Sequence, residues 1–371
     1  MRIAHLSDVH VSRLGATLTQ SRGLIREAGD GWEPIQDSDG WRIEMQRAAG
    51  RTFQRLDHFR LVDDEGVVLE TIKFKGQSEG AVIDELVHSM QVRKRSSAAS
   101  LAEDLPDAAE LKSLLAENPA NNNLRFCAVA AQLLELDPEY VLITGDLTDD
   151  AVGFELFETA LATFVADRRL VVIPGNHDIY ASPPLVTTKA LRKTVAEKRR
   201  LWGAFAQRIG QPMATSFIRD LGEGVVLACL DSAHPPNIPG SASGEVLAHE
   251  LEQLAGAFDA RGDDSVRICC LHHHIANPPA DVIGSTPIQA GMKLRNAKRV
   301  MDTLNALGFQ AVLNGHRHLG YRFHPAHSPL FLAAPSATMG CRSGHAPYFW
   351  MIDVDADGIH KASEVPVALH L

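Results

Sequence analysis

Short runs of consecutive apolar residues recur along this chain, and each is closed by a polar cluster. Arg2-Ile3-Ala4-His5-Leu6 leads into Asp8-Val9-His10, and Tyr140–Ile143 into Gly145-Asp146. Leu170–Ile173 leads into Gly175-Asn176-His177-Asp178, Ile268–Leu271 into His272-His273-His274, and Ala311–Leu313 into Gly315-His316-Arg317-His318. Runs of this length without alternation read as strands buried on both faces. Between them the apolar spacing turns helical: Leu124–Leu136, stopped by Asp137-Pro138; Phe154–Val165; Lys189–Ile209; Gly244–Phe258; and Ala297–Leu307, stopped by Gly308. Further strands are predicted at Gly224–Leu230, Leu330–Ala333 and Tyr348–Val354, the last followed by the turn Asp355–Gly358. Strand and helix in alternation predict an α/β fold.

The alternation breaks once, between His10 and Asn121, where a single helix would ordinarily suffice. Asp37-Ser38-Asp39-Gly40 and Asp63-Asp64-Glu65-Gly66 carry hairpin-turn chemistry, and alternating strands flank the second. A small antiparallel sheet is therefore expected here. It should be followed by an exposed linker at Arg93–Ser100, a helix over Leu101–Ala116 and a loop at Asn118–Asn123. The expected organisation is a core of residues 1–14 and 119–371, with residues 15–118 as an inserted subdomain. Residues 11–100 hold thirteen Lys/Arg against fourteen Asp/Glu, so no basic nucleic-acid surface is evident in the insert.

In open α/β sheets, ligands gather beyond the carboxyl ends of the strands. Those ends carry carboxylates, imidazoles and one carboxamide here, a donor set suited to borderline divalent cations such as Mn, Fe, Zn or Co. Asp8 and His10 are two residues apart, so on an extended backbone both face one side and can serve one ion. His316 and His318 repeat that spacing, with Arg317 turned away. Asn176 and His177 are adjacent, so one can bind metal while the other faces substrate. Asp146 ends the central strand and can bridge two ions. Glycines 145, 175 and 315 let the backbone turn into the site. A pair of ions ~3.5–4 Å apart supports hydrolysis at phosphorus, by binding a phosphate oxygen and acidifying a bridging water. His177 would stabilise the phosphoryl group or protonate the leaving group, with Asp178 orienting it. His5 sits mid-strand and reads as structural. Lys189–Arg200 reads as a solvated basic face, and Arg342, in Gly340–Gly344, as a surface turn.

The net charge of −10 and pI of 5.9 argue against a broad surface for duplex nucleic acid. No run approaches the ~18 apolar residues of a membrane helix. The first cluster begins at Asp8, too early for a leader peptide, and Cys269 and Cys270 lie within a strand as reduced thiols. A cytoplasmic protein is expected.

Taken together, Asp8-x-His10, Gly145-Asp146, Gly175–Asp178, the histidine run and Gly315-His316-x-His318 resemble the calcineurin-like metallophosphoesterase superfamily, in family order. The likeness is nearest its class III cyclic nucleotide phosphodiesterase branch, through Gly145-Asp146-Leu147-Thr148-Asp149, the histidine run and Pro335-Ser336-Ala337-Thr338. The resemblance implies a sandwich of two β-sheets flanked by helices. It also implies two metal ions, Mn or Fe before Zn or Co. Asp8, His10, Asp146 and His318 would hold one, and Asp146, Asn176, one histidine of the run and His316 the other. Aligning Ile275 with the proline usual in the family selects His273 and turns His272 and His274 away. The implied activity is hydrolysis of a small nucleotide-like phosphodiester, or a phosphomonoester. A nuclease and a non-catalytic interaction scaffold of the same fold are the alternatives.

Overall fold

The apolar runs dictate the architecture, because a strand buried on both faces must be covered on both. The computed structural model describes residues 1–15, 32–38, 40–49, 54–63, 66, 68–149, 151–181, 193–236, 241–262, 264–277, 292, 294–340 and 346–368. Asp39, Asp64, Glu65, residues 189–192 and Arg342 of the preceding section lie outside these.

The chain begins with β1 (Arg2–Leu6), followed by β2 (Trp32–Ser38), β3 (Trp41–Ala49), β4 (Gln54–Val62) and β5 (Val68–Lys73). Helices α1 (Glu79–Arg95), α2 (Ala98–Glu103), α3 (Ala108–Glu117) and α4 (Asn122–Leu136) lead to β6 (Tyr140–Thr144). Next come α5 (Phe154–Ala160), α6 (Ala162–Ala166), β7 (Leu170–Ile173), α7 (Asn176–Ile179) and α8 (Val195–Arg208). The chain continues through β8 (Phe217–Gly222), β9 (Val225–Cys229), α9 (Ala248–Arg261), β10 (Val266–Cys270) and α10 (Ala297–Ala306). It closes with β11 (Ala311–Asn314), β12 (Tyr321–Phe323), β13 (Leu330–Ala333), β14 (Tyr348–Asp355) and β15 (Gly358–Pro366).

Two mixed sheets face each other. One has the order β15-β14-β1-β6-β7, the other β12-β13-β11-β10-β9-β8. Strands β1, β6 and β7 run parallel, as do β9, β10, β11 and β13. Alternate residues divide between the faces. Ile3, Leu142 and Val171 meet Leu227, Ile268 and Leu313 between the sheets. Ala4, Val141 and Val172 instead pack under Phe126, Phe157 and Phe205 of the helices. Val226, Cys269 and Val312 do the same under Leu254, Phe258 and Leu304 on the far side. This is the α/β sandwich of two sheets flanked by helices. Every parallel strand ends at the same edge, which is where the polar clusters emerge.

The residues after His10 build a separate sheet, β2-β3-β4-β5, with Trp41, Ile43, Phe59 and Leu61 packed on Val82, Leu86 and Met90 of α1. The expected linker at Arg93–Ser100 is instead a tight junction between two helices. Arg93–Arg95 form the last turn of α1, where basic side chains favour the negative helix end, and Ser97 caps α2. The helix expected over Leu101–Ala116 is two, separated around Pro106, which cannot continue a helix. The expected loop at Asn118–Asn123 contains the cap and first turn of α4. Asn121 caps it, and Asn122 and Asn123 send their amides to the carbonyls of His10 and Ser12. Arg13 pairs with the buried carboxylate of Asp63 at the end of β4. Among the described residues no helix is long and apolar enough to cross a membrane.

Candidate metal centre

Four loops at the carboxyl edge converge on the segment after β1. Residues 8–11 bond along 145–149: Asp8 N donates to Gly145 O (3.0 Å), His10 N to Asp146 O (2.9 Å) and Val11 N to Leu147 O (2.9 Å). From the far side, Ser336 Oγ donates to Asp8 O (2.6 Å) and Thr338 Oγ1 to Val9 O (2.8 Å), so the Pro335–Thr338 motif supports the first ligand loop. Asp8, His10, Asp146, His316 and His318 all have left-handed backbone, with φ between 50° and 75°. They make up half of the ten non-glycine residues so placed among the described ones, and strain of this kind concentrates at functional sites. The extended geometry read for Asp8/His10 and His316/His318 is therefore corrected. Asp8 and His10 do face one group, whereas His316 and His318 divide between the two, and both pairs are presented by left-handed turns beyond the strand ends. Close approach also dictates two glycines. A Cβ on Gly175 would collide with Asp146, and one on Gly315 with Ser7 Oγ and Asp8 Oδ2.

The side chains form two adjoining groups. In one, His318 Nε2 lies 3.2 Å from Asp8 Oδ1 and 3.1 Å from His10 Nε2. In the other, His272 Nε2 lies 3.0 Å from Asn176 Oδ1, 3.1 Å from His316 Nδ1 and 3.3 Å from Asp146 Oδ2. Asp146 Oδ2 is also 3.9 Å from His10 Nε2, so this carboxylate adjoins both groups. All these residues are buried except His318, which is partly open.

The tautomers follow from the outer partners. His272 Nδ1 faces the Thr144 carbonyl at 2.8 Å, which can only accept, so this nitrogen carries hydrogen. His10 Nδ1 faces Asp149 Oδ1 at 2.9 Å. The inner nitrogens of the neutral rings are then lone pairs, aimed at the carboxylate and carboxamide oxygens. Acceptors converging on acceptors, out of water, fit a cation and little else. Asp8 Oδ1, buried with no hydrogen bond of good geometry, agrees. Without metal, protons take that role. Burial opposes charge on His10, but Asp149, Asp146 and Asp8 outweigh it and raise its pKa to about 9. Burial likewise opposes charge on His272, and Asp146 and Asp8 raise it to about 9. Burial, with the neighbouring charges of His273 and His272, holds the His316 pKa well below the ordinary value.

Two sequence expectations are corrected here. His273 is not in the ligand group. Its Nδ1 meets Ser232 Oγ at 2.9 Å and its Nε2 the Ala242 carbonyl at 3.0 Å, while His272 occupies the place expected of it. The proline-based alignment fails because the loop leaves β10 at Cys270, so the first histidine, not the second, turns inward. Asp178 does not orient His177. Its carboxylate accepts from Gly175 N (2.9 Å), Leu147 N (3.2 Å), and Thr148 N and Oγ1 (2.8 and 2.9 Å), which joins the two ligand loops. Burial and the charge of Asp146 push it up to about 6.

The orienting acid is Asp149, at the end of the Gly145–Asp149 motif, a residue to which no role is assigned from sequence. Its Oδ1 lies 2.8 Å from His177 Nδ1. The histidines it serves hold it below the ordinary carboxylate range, against burial. His177 stands edge-on to His10, with ring centroids 4.7 Å apart. Its side chain is 19 % exposed, at the rim. Behind it, the fully buried Lys198 donates to the carbonyls of His177 (3.3 Å) and Ala181 (3.2 Å), so the basic face of α8 is not wholly solvated. His5 is structural as expected, bonding Thr144 Oγ1 at 2.9 Å, and burial lowers its pKa to about 3.

Residues 121–320 match the calcineurin-like phosphoesterase family. Among solved structures, a dimetal phosphatase from Danio rerio is 12 % identical over 99 % of both chains, with a TM-score of 0.43. The purple acid phosphatase PPD1 of yellow lupin is 11 % identical over 65 % of this chain and 49 % of its own, with a TM-score of 0.41. The protein TT1561 of Thermus thermophilus is 10 % identical over 66 % of this chain and 92 % of its own, with a TM-score of 0.38. No curated protein matches the chain.

Proposed function

The chain belongs to the calcineurin-like phosphoesterase family of phosphoric ester hydrolases, and from that premise we propose that it is a dinuclear phosphodiesterase acting on a small, nucleotide-like diester. The observation that carries this reading is the position of Asp146, whose Oδ2 adjoins both ligand groups while its Oδ1 accepts from His177 N at 2.8 Å. Asp8, His10, Asp146 and His318 would hold one divalent ion, and Asp146, Asn176, His272 and His316 the other. Such a pair acidifies water and draws charge from phosphorus. With the donor set of imidazole, carboxylate and carboxamide, Mn or Fe is the proposed occupant, and Zn and Co are admitted.

The chain's own residues supply the rest. His177 has one nitrogen tied to Asp149, which fixes the ring and leaves Nε2 to meet the ester. Protonated, it neutralises a phosphoryl oxygen or hands its proton to the departing alkoxide; the Asp149 carboxylate stabilises that charge. The diester preference draws on the Gly145–Asp149 and Pro335–Thr338 motifs, the second of which braces the carbonyls of Asp8 and Val9.

Residues 15–118 are proposed as an inserted subdomain that restricts which esters enter, since they follow the first ligand loop directly and pair with it through Arg13 and Asp63. A cytoplasmic location is proposed from the free, buried thiols of Cys127, Cys229, Cys269 and Cys270.

The test is an assay of metal-stripped and metal-reloaded protein on bis(p-nitrophenyl) phosphate, cyclic nucleotides and p-nitrophenyl phosphate. Diester turnover restored by Mn²⁺ or Fe²⁺ is expected. Turnover of the monoester alone, by folded and metal-replete protein, would refute the diester assignment.

A further inference from the structure

The residue between the two ligand histidines of the Gly315–His318 turn plays no part in the metal centre. Arg317 is 3 % exposed. His316 and His318 turn toward the ligand groups, while Arg317 points toward the loop that follows the histidine run. There its Nη1 lies 3.5 Å from Asn277 Oδ1, at the limit of a hydrogen bond. Its Nη2 is buried with no hydrogen-bond partner. Tyr321 is the one ionisable group whose charge bears on this guanidinium; among the described residues no carboxylate does. Tyr321 Oη and Asn314 Oδ1, on the strands beside it, are likewise buried with no hydrogen bond of good geometry.

A guanidinium cannot shed its proton in a protein, so Arg317 is a buried cation that meets no counter-charge among the described residues. That arrangement is strongly unfavourable until an anion arrives. Asp8 and Asp146 cannot serve, because they are committed to the metal centre. Asn277 is exposed, so the guanidinium lies just beneath the surface at that point.

We propose that Arg317 forms a second anion subsite, which takes a distal phosphate or carboxylate of the substrate while the scissile phosphate lies at Asp146. The proposal rests on the phosphoester reading above and narrows it to esters that carry a further negative group. The planar fork of Arg317 accepts either anion through two parallel N–H bonds.

The experiment uses the metal-loaded, full-length protein. Matched p-nitrophenyl phosphodiesters are compared whose second alcohol ends in a phosphate, a carboxylate or a hydroxyl. An anionic end should raise kcat/KM about ten- to a hundredfold over the hydroxyl end, and the larger of the two effects identifies the anion. In Arg317→Leu that ratio should fall to about one. The Tm of the ligand-free variant should rise, because an uncompensated charge has been removed. A wild-type ratio of one, a Leu variant that keeps the ratio, or a Leu variant of lower Tm overturns the proposal. Should Arg317→Leu not fold, Arg317→Lys keeps the charge and loses the fork; a ratio unchanged in it overturns the proposal and a lowered ratio supports it. If no diester is cleaved, the same end groups on aryl phosphomonoesters give the ratio, so a failed diester reading is seen separately.

Discussion

Oδ1 of Asp149 stands 2.8 Å from Nδ1 of His177, although the acid adjacent to that histidine in the chain is Asp178. The same oxygen is 2.9 Å from Nδ1 of His10. One carboxylate atom thus orients both the rim histidine and a histidine of the first donor group. His177→Ala removes only the rim group, so kcat should fall about 10²- to 10⁴-fold with metal content retained. Asp149→Ala should lower both kcat and metal affinity. Elemental analysis beside steady-state kinetics separates the cases, and equal metal loss in both variants would contradict these roles.

The two inner histidines should differ in the same assay. His272→Ala opens the second ligand group and should lose about one ion per chain, because structural and catalytic sites need their full donor set. His273→Ala should keep both ions and lower Tm, since it breaks bonds to Ser232 and the Ala242 carbonyl.

Ion binding should release protons. In metal-free protein His10 and His272 stay charged up to about 9, because neighbouring carboxylates outweigh their burial. A cation needs both rings neutral, so it displaces roughly two protons at pH 7. Apparent affinity should therefore rise with pH and level off above about 9. Calorimetry at pH 7 in two buffers of different ionisation enthalpy checks this, and a buffer-independent heat would exclude it.

Lys198→Met should lower kcat by up to about a hundredfold with little change in KM. Its ammonium holds the backbone of His177, and a small displacement of a reacting group is costly. Arg200→Met, on the exposed side of the same helix, should behave as wild type. Equal kinetics for the two variants would show that Lys198 is only a packing residue.

Gly315→Ala should destabilise the protein by about 1–3 kcal/mol and weaken metal binding, because the added methyl meets Ser7 Oγ and Asp8 Oδ2. Denaturant melts with and without metal measure both effects. An unchanged midpoint would show that the turn yields freely.

Much of the sandwich was legible because its cause is local. Val141, Leu142 and Ile143 form a short apolar run, rich in β-branched residues, that favours a doubly covered strand, and its end in Gly-Asp marks where the chain leaves the sheet. The misread segments share another cause. Arg93–Ser100 looked like a linker because its polar composition does not show that Ser96 is buried and Ser97 caps a helix. Lys198 looked solvated because a lysine buried against carbonyls has the same letter as one in water.

The sequence by itself determined which residue types stand at which strand ends, since strand length and side-chain chemistry are properties of short segments. That was enough for the family, the carboxylate and imidazole donor set and the central place of Asp146. Only the tertiary structure decided which ring faces which. His272 over His273, Asp149 over Asp178, and left-handed turns over extended pairs all depend on how five loops from two sheets meet. The reason is that a hydrogen bond such as Thr144 O to His272 Nδ1 joins residues 128 apart in the chain, and no short window of sequence contains both ends.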